Sequence, residues 1–553
     1  MSVKYSLISA LILTTILSAC GSGSQRGNEN NTVSLQPGAI VPPAITVSAI
    51  SHGTPSSYVS ATDNMYYTSY LVSNKSSKST SLSTVQISGQ DVSEFAIESD
   101  TAKYPTGVTP CNSGTTLSPS GSCQILVKLV NPTAVTLTTK TANLVIVAGG
   151  VKFAPTLSKT SYAYVTGNFS QVYANPSESV SALTPVSDAN SYCGINAKCQ
   201  LVEFNLSNHN LNSIMASDYP VNSLALSNNG ILYAGGGLTQ ASANGNTVSV
   251  ANVGSLLVSI NPALNGKSGI LTDVLAQNNV AYPNDQIYSL AYNNNRLYIA
   301  GGFQSMAGVG DGATGYPVVT YDTTGVGSIN WSNAFSLNSN NPDLAVSTIG
   351  FDKNNTMFIS GLYSNLDGTQ YIPESMSNTG NFVINSCASS DNGISFTCNA
   401  DYASITSTTT DPNAMPQPAS NISFSPDGTL YASGGFSKIN STDNGDGNYM
   451  IATLPALQQL SSTWSSLLQD NFPDNVISAT VPYDNGKYYV GGFFSSIGGI
   501  SSDSNSGICG AGALSYSGTN SCLLAQYDGS NYNKVFTTDG WINSIVFASK
   551  IGS

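Results

Sequence analysis

The stretch LYIAGGFQSMAG at residues 297–308 decides the fold, because versions of it recur along the chain. A strand-like run reaches a glycine, one residue follows, a large apolar residue comes next, and a second apolar residue lies three positions later. Six copies are present, 58 to 73 residues apart, and their aligned glycines are Gly167, Gly236, Gly301, Gly361, Gly434 and Gly492. A repeat of this kind indicates stacked β-units, with a period longer than the ~40 to 50 residues of common propeller blades.

An alternating apolar run and a tight turn precede each of the five later copies, which predicts a β-hairpin in every one. The first copy lacks such a partner, and a partnerless run, INSIVF, lies at residues 542–547. Pairing these two halves would remove two exposed strand edges. We therefore predict an all-β fold with a six-bladed β-propeller over residues 158–553, closed by the C-terminal strand. We expect the glycines where blades converge on a narrow axis and leave no room for Cβ atoms.

The runs LYIAGGFQSMAG (297–308) and YYVGGFFSSIGG (488–499) resemble the GGxF-type repeats of fungal cortical polarity-marker propellers and related bacterial repeats. The resemblance covers residues 160–551 through short motifs and implies a cell-surface propeller, not a reaction. The chain departs from the pattern at Leu238 and Tyr363, which replace the Phe, and in insertions at 174–200, 239–255 and 385–415.

Residues 43–152 alternate apolar and polar positions in short runs separated by turn clusters, which predicts a β-sandwich of about seven strands. The segment CNSGTTLSPSGSCQILVKLVNP at residues 111–132 resembles the abnormal-spindle/hydin type of bacterial Ig-like domain. That resemblance implies an Ig-like spacer or adhesion module with a disulfide between two neighbouring strands.

The beginning of the chain indicates export and lipidation. Residues 1–19 pass from a basic start into an apolar stretch that is too short to span a bilayer, as in a signal peptide. The sequence LSAC at residues 17–20 resembles a bacterial lipobox, which implies a lipid on Cys20 and membrane attachment through it. By the family's sorting rule, Gly21 implies an outer-membrane lipoprotein on the cell surface or periplasmic face. Residues 20–42 carry the lipidated cysteine and a flexible polar tether.

The eight remaining cysteines fall into local pairs, which predicts four disulfides in an oxidising compartment. We expect those in the repeat region to staple long loops. A zinc site is the competing interpretation, but no pair has CxxC spacing and the chain has only two histidines. Calcium is the least improbable metal, with Asp443 and Asp446 as a weak candidate site, and turn formation explains the same residues. The expected pairs are Cys111/Cys123, Cys193/Cys199, Cys387/Cys398 and Cys509/Cys522.

Composition limits the function. With 30 acidic and 17 basic residues, only two of them arginines, nucleic acid is excluded as a partner. Sialidase and copper-oxidase chemistries lack their residues, since Arg296 and His209 stand alone in the repeat region. A serine nucleophile with a histidine base would have to use His209, whose polar run SNHN (207–210) is more typical of a solvated turn. A carboxylate pair for glycoside hydrolysis stays open. No cofactor and no catalytic residue is expected. We predict a non-catalytic, lipid-anchored scaffold that binds a protein or glycan. The alternatives are a propeller glycosidase or lyase and a structural or envelope-assembly spacer.

Overall fold

The structure is a computed structural model. It describes residues 45–49, 57–59, 66–174, 198–250, 254–262, 271–309, 316–324, 331–338, 346–361, 365–366, 369–370, 382–391, 393–406, 418–443, 449–468, 472–502, 509 and 522–552. Cys20, Cys193 and Asp446, the expected signal peptide and the tether lie outside these residues. The described chain is nearly all β, as the sequence predicts, and its one α-helix is α1 (Val274–Gln277). Among the described residues, no helix has the length and apolar character needed to cross a bilayer.

Two antiparallel sheets form the N-terminal region, residues 45–153. The strands are β1 (Ile45–Ala49), β2 (Ser57–Val59), β3 (Tyr66–Asn74), β4 (Thr80–Ser88), β5 (Phe95–Ile97), β6 (Thr116–Leu117), β7 (Ser122–Leu129), β8 (Lys140–Ala148) and β9 (Val151–Phe153). One sheet has the order β1-β3-β7-β5, and the other runs β6-β4-β8 with β9 on β8. Alternating side chains of both sheets share one buried cluster, which includes Tyr70, Val72, Leu82, Ile125, Val127, Leu144 and Ile146.

Six sets of four antiparallel strands form the repeat region, residues 156–552. We call the first strand of each set its inner strand. The second strand forms a hairpin with the inner strand and ends at an aligned glycine. The first three sets are β14 (Val221–Leu226), β15 (Leu232–Gly236), β18 (Leu257–Ile260) and β19 (Leu271–Asp273); β20 (Ile287–Asn293), β21 (Arg296–Gly301), β22 (Tyr316–Asp322) and β23 (Trp331–Asn338); and β24 (Thr348–Phe351), β25 (Met357–Gly361), β28 (Phe382–Ala388) and β29 (Thr397–Thr406).

The fourth and fifth sets follow in chain order, and the sixth combines the end of the region with its beginning. These sets are β30 (Ala419–Phe424), β31 (Leu430–Gly434), β34 (Met450–Leu454) and β35 (Ser465–Ser466); β36 (Ile477–Asp484), β37 (Lys487–Gly492), β40 (Cys522–Tyr527) and β41 (Tyr532–Thr538); and β42 (Ile542–Gly552), β10 (Thr156–Gly167), β12 (Cys199–Asn205) and β13 (Leu211–Ser217). Strand β42 pairs with β10 from Ser158↔Gly552 to Gly167↔Ile542.

Short strands that follow the glycine motif reach across to the preceding set. Strand β11 pairs with β41, and the hairpins β16/β17, β26/β27 and β32/β33 pair with β13, β23 and β29. The second apolar residue of the motif lies in several of these strands, so the motif links neighbouring sets. Their bounds are β11 (Val172–Ala174), β16 (Gln240–Ala243), β17 (Asn246–Ser249), β26 (Asn365–Leu366), β27 (Thr369–Gln370), β32 (Lys438–Ile439) and β33 (Thr442–Asp443). The corresponding strands β38 (Ser496–Ile497) and β39 (Ile500–Ser501) form a separate two-stranded sheet.

The two regions share a strand. The first residues of β10 pair with β8 of the N-terminal region, from Thr156↔Asn143 to Lys159↔Lys140, and its later residues pair with β42 and β12. The side chain of Lys159 is completely buried, and its Nζ lies 2.7 Å from Glu94 Oε2 of the N-terminal region. A continuous sheet and the ion pair between the buried Lys159 and the partly exposed Glu94 therefore join the regions.

Candidate functional site: the central cavity

A cavity of about 580 Å³ lies between the six inner strands β14, β20, β24, β30, β36 and β42. Neighbouring inner strands contact one another in that order, and the last, β42, also contacts the first, β14. Each strand or the residue just before it contributes lining residues, so no single set of strands forms the cavity.

A ring of six equivalent residues lines the cavity near the beginnings of the inner strands, and we call it the polar ring. Every member is half-buried, whereas the apolar residue before it is at most 1% exposed. This alternation places the ring side chains toward the open space of the cavity. The polar ring consists of Asn222, Tyr288, Ser347, Ser420, Ser478 and Asn543.

Five members of the polar ring are β-bulge residues. In β20, for example, Ile287 pairs with Gly301 and Ser289 with Ala300, so the strand register shifts by one residue at Tyr288. The same shift skips the ring residue in β14, β30, β36 and β42. A bulge redirects a side chain from the regular alternation of a strand, and bulges are frequent beside functional sites.

Five of the six aligned glycines, all except Gly361, lie opposite these bulges. A Cβ on Gly301 would stand 2.0 Å from the carbonyl oxygen of Gln286, the residue just before β20, and one on Gly236 would stand 2.3 Å from Pro220 O. The explanation expected from the sequence, crowding between blades at the axis, is therefore wrong for these glycines, because the close approach is within the hairpin. The preceding glycine, as at Gly235, is the one that faces a neighbouring inner strand.

Side chains of the inner strands hydrogen-bond from one strand to the next. The hydroxyl of Ser223 accepts from Leu290 N at 2.9 Å, and that of Ser289 accepts from Ile349 N at 2.9 Å. Across the junction of the two chain ends, Ser544 Oγ accepts from Leu224 N at 3.2 Å. These bonds fix the spacing of the strands around the cavity.

Three members of the polar ring form a second set of hydrogen bonds between neighbouring inner strands. Asn543 donates through Nδ2 to Val221 O at 3.2 Å, and Asn222 donates through Nδ2 to Ile287 O at 3.0 Å. Ser347 Oγ donates to Ala419 O at 2.8 Å. Each of these ring residues therefore holds the first residue of the next inner strand.

A segment of the N-terminal region lines the other end of the cavity, and we call residues 131–135 the plug. The plug lines the cavity together with Val481 and Tyr483 at the end of β36, and Val135, Val481 and Tyr483 each pack against the buried cluster that contains Phe547 of β42. Its backbone is held by β42, because Ser549 donates from N to Pro132 O at 2.7 Å and from Oγ to Ala134 O at 3.0 Å.

The described residues that line the cavity include no carboxylate, imidazole, thiol or basic side chain. The titratable groups there are the phenols of Tyr288 and Tyr483. Burial raises the pKa of Tyr483 above its usual value, so this phenol is protonated at neutral pH. The cavity therefore offers neutral hydrogen-bonding groups and no described acid-base pair.

Three aspartates and one asparagine of the repeat region accept backbone hydrogen bonds outside the cavity, in a recurring contact that we call the Asx clamp. Asp539 accepts hydrogen bonds from the backbone N–H groups of Ser170 and Gln171, both at 2.8 Å. Asp474 accepts from Ser495 and Ser496 at 2.8 and 3.1 Å. Asp218 and Asn284 make equivalent pairs with residues 239–240 and 304–305. In each case a residue three positions before an inner strand caps the turn that follows the glycine motif.

Three of the predicted disulfides lie within the described residues, Cys111–Cys123, Cys387–Cys398 and Cys509–Cys522. Cys199 is also disulfide-bonded. The expectation of a loop staple is wrong for Cys387–Cys398, because the two residues are direct cross-strand partners in β28 and β29. None of these disulfides contributes to the cavity lining.

The other singled-out residues lie elsewhere. Asp443 ends the short strand β33, and the described residues contain no group of three metal-ligating side chains. His209 is in a turn and stacks on Phe204 with 5.5 Å between ring centroids. Arg296 pairs with Asp322 at 3.3 Å. The structure brings none of these residues into the cavity.

Neither the polar ring nor the Asx clamp was predicted from the sequence, although each has a sequence pattern. The clamp residue is an Asp or Asn three positions before an inner strand. Every inner run has an apolar residue followed by a polar one, as in VNSL (221–224), IYSL (287–290) and INSI (542–545). The plug carries no comparable signal, since its sequence is that of an ordinary surface turn.

No family model matches the chain, and no curated protein matches it. Solved structures with some likeness include the WD40 repeats of RRP9, 11% identical, with 69% of this chain and 86% of that chain covered and a TM-score of 0.30. YCF48 bound to a D1 peptide is 10% identical, with 64% and 86% covered and a TM-score of 0.27. The extracellular domain of BT4673 from B. thetaiotaomicron is 12% identical, with 59% and 44% covered and a TM-score of 0.21.

Proposed function

We propose that the repeat region is a six-bladed β-propeller closed by β42 and that the N-terminal region is an Ig-like sandwich. The cyclic order of contacts among the inner strands and the pairing of β42 with β10 support the ring. The shared cluster between two antiparallel sheets supports the sandwich. The domains would be residues 43–152 and 158–553, joined through β10.

We propose further that the protein is a non-catalytic scaffold that binds a protein or glycan. The observation that carries this proposal is the uncharged lining of the central cavity. General acid-base catalysis needs a titratable pair at the reacting atoms, whereas a binding site needs only complementary hydrogen-bonding groups. The Asx clamps also assign several loop carboxylates to the backbone, which disfavours the glycosidase or lyase alternative.

Binding to isolated bacterial envelopes tests the scaffold proposal. We expect saturable binding of the fluorescently labelled Cys20→Ser protein, which lacks the lipid. Loss of binding after protease treatment would identify a protein partner, and loss after periodate oxidation would identify a glycan. Hydrolysis of envelope glycans by the purified protein, or a lack of saturable binding, would contradict the proposal and favour the enzyme or the spacer.

The lipid anchor on Cys20 and the outer-membrane location are also proposals, and they rest on the sequence of residues 1–21. Metabolic labelling with an alkyne fatty acid should mark the wild-type protein and leave Cys20→Ser unlabelled. Protease accessibility on intact and permeabilised cells then separates the cell surface from the periplasmic face. Equal labelling of both proteins would contradict lipidation of Cys20.

A further inference from the structure

We propose that the central cavity is a blind binding site for a short neutral saccharide, entered at the polar ring and closed by the plug. The inference rests on the proposed scaffold function and narrows it to one ligand class and one site. It draws on the size of the cavity, the chemistry of its lining and the position of its closed end.

The volume suits a small ligand. Ligand sites usually measure about 300 to 1,000 Å³, and 580 Å³ lies within that range. At about 30 Å³ for each water molecule, the space would hold roughly twenty waters. A saccharide of two or three units can displace that water and form many hydrogen bonds in return.

The chemistry of the lining selects a neutral, hydroxyl-rich ligand. Serine hydroxyls and asparagine amides both donate and accept hydrogen bonds, as sugar hydroxyls do. A charged ligand would lose its hydration without a counter-charge from the described lining residues, which is unfavourable. Tyr288 adds an aromatic ring to the polar ring, and its amphipathic side chain can pack against the apolar face of a pyranose.

Two ring members are available to a ligand. Ser420 and Ser478 are half-buried, and neither hydroxyl forms a hydrogen bond with a described residue, unlike Asn222, Ser347 and Asn543. Both are members of bulges, which turn them out of the regular strand pairing. Their hydroxyls can bind a ligand without breaking bonds between the inner strands.

The closed end disfavours a polypeptide. The plug lines the cavity together with Val481 and Tyr483 at the end of β36, so a site closed there would not let an extended chain pass through. A peptide end would bring a charged amino or carboxyl group into a site whose described lining is uncharged. A saccharide end carries no such charge.

Saturation-transfer NMR on the full chain carrying Cys20→Ser tests the site. The neutral probes are cellotriose, maltotriose and triacetylchitotriose, and the anionic probe is trigalacturonate. We expect a signal from at least one neutral probe and none from trigalacturonate. Filling the cavity with Ser420→Phe and Ser478→Phe should weaken that binding at least tenfold, whereas Ser530→Phe, on an exposed turn, should leave it unchanged.

A smaller change guards against misfolding of the phenylalanine variant. Ser420→Ala with Ser478→Ala removes two hydroxyls with little change in volume and should weaken binding several-fold. The proposal is overturned if no neutral probe binds, if trigalacturonate binds equally well, or if binding survives in both double variants. Envelope binding that persists in those variants without saccharide binding would leave the scaffold standing and place its partner elsewhere. Absence of envelope binding in the unsubstituted protein would remove the scaffold as well.

Discussion

Single residues set the shape of the cavity through the pairing of a bulge with a glycine. The bulge turns a ring side chain toward the cavity. The aligned glycine on the opposite strand then lies so close to the carbonyl oxygen of the residue before the inner strand that a Cβ on this glycine would have no room. The position of the ring residue, which faces the cavity, therefore depends on the aligned glycine opposite it. Substituting the glycine should therefore disturb the polar ring as well as stability.

Gly301→Ala should lower the free energy of unfolding by about 2 to 3 kcal/mol, because its Cβ would meet Gln286 O at 2.0 Å and force the hairpin apart. The neighbouring Gly302→Ala is the matched control. Its Cβ would come no closer than 3.3 Å, to the ring of Tyr288, which can move. Chemical denaturation measures both variants, and equal losses would contradict the assigned role of Gly301.

A buried carboxylate in the N-terminal region should give the protein a marked acid sensitivity. Desolvation raises the pKa of Glu98, but hydrogen bonds from Lys128, the Asp100 backbone and Tyr67 outweigh it and lower the pKa from 4.5 to about 2. Because the folded state has the lower pKa, this stabilisation is complete above about pH 4.5 and is lost as the pH falls toward 2.

Glu98→Gln should therefore destabilise the protein at pH 7 by about 3 kcal/mol and flatten the fall in stability between pH 5 and pH 2. Urea denaturation at several pH values measures this change. Asp528→Asn, in an exposed turn, is a control that should leave most of the fall in place. An unchanged pH profile in Glu98→Gln would show that another carboxylate dominates acid unfolding.

At the level of elements, the Asx clamp explains how a loop before an inner strand is tied to the turn after its hairpin partner. Asparagine occupies the clamp position at Asn284, where it accepts two backbone hydrogen bonds at 2.9 and 3.2 Å. The acceptor oxygen is therefore sufficient, and the charge of aspartate is not essential to the clamp.

Replacing one clamp in two ways separates the hydrogen bonds from the charge. Asp539→Ala removes the acceptor for Ser170 N and Gln171 N and should cost about 2 kcal/mol, whereas Asp539→Asn should cost much less. Thermal unfolding of the two variants gives the comparison. Similar losses for both would indicate that the charge of Asp539 stabilises the turn.

The sequence could predict the hairpins because their glycines and apolar runs are local signals, as at Gly301 and Ile287. It could also have predicted the polar ring from the apolar-polar order of the inner runs. Neither the bulge at Tyr288 nor the docking of the plug is visible locally. Both arise only when distant strands assemble, since the partners of Pro132 and Ala134 lie more than 400 residues away at Ser549.

For the whole molecule, the shared strand β10 predicts mechanical continuity between the two regions. Backbone pairing passes from β8 through β10 to β42, and the buried Lys159 binds both Glu94 and the carbonyl oxygen of Asn131 in the plug. A destabilising substitution in one region should therefore lower the stability of the other region as well.

Leu144→Ala, which opens a cavity in the core of the N-terminal region, should cost about 2 to 5 kcal/mol and shift a single cooperative unfolding transition of the whole chain. Differential scanning calorimetry measures the number of transitions. Two transitions, of which only the first moves, would show that the regions unfold independently.

The central claim is that the two ends of the repeat region meet in one closed ring. Ser161 in β10 and Ser549 in β42 are direct cross-strand partners, and their hydroxyl oxygens lie 2.9 Å apart. Ser161→Cys combined with Ser549→Cys should therefore form an intramolecular disulfide, detected by peptide mapping under non-reducing conditions and independent of protein concentration. Ser161→Cys with Ser423→Cys, in the inner strand β30, is the control and should not cross-link. Free thiols at positions 161 and 549, or a cross-link found only between two molecules, would contradict the closed ring.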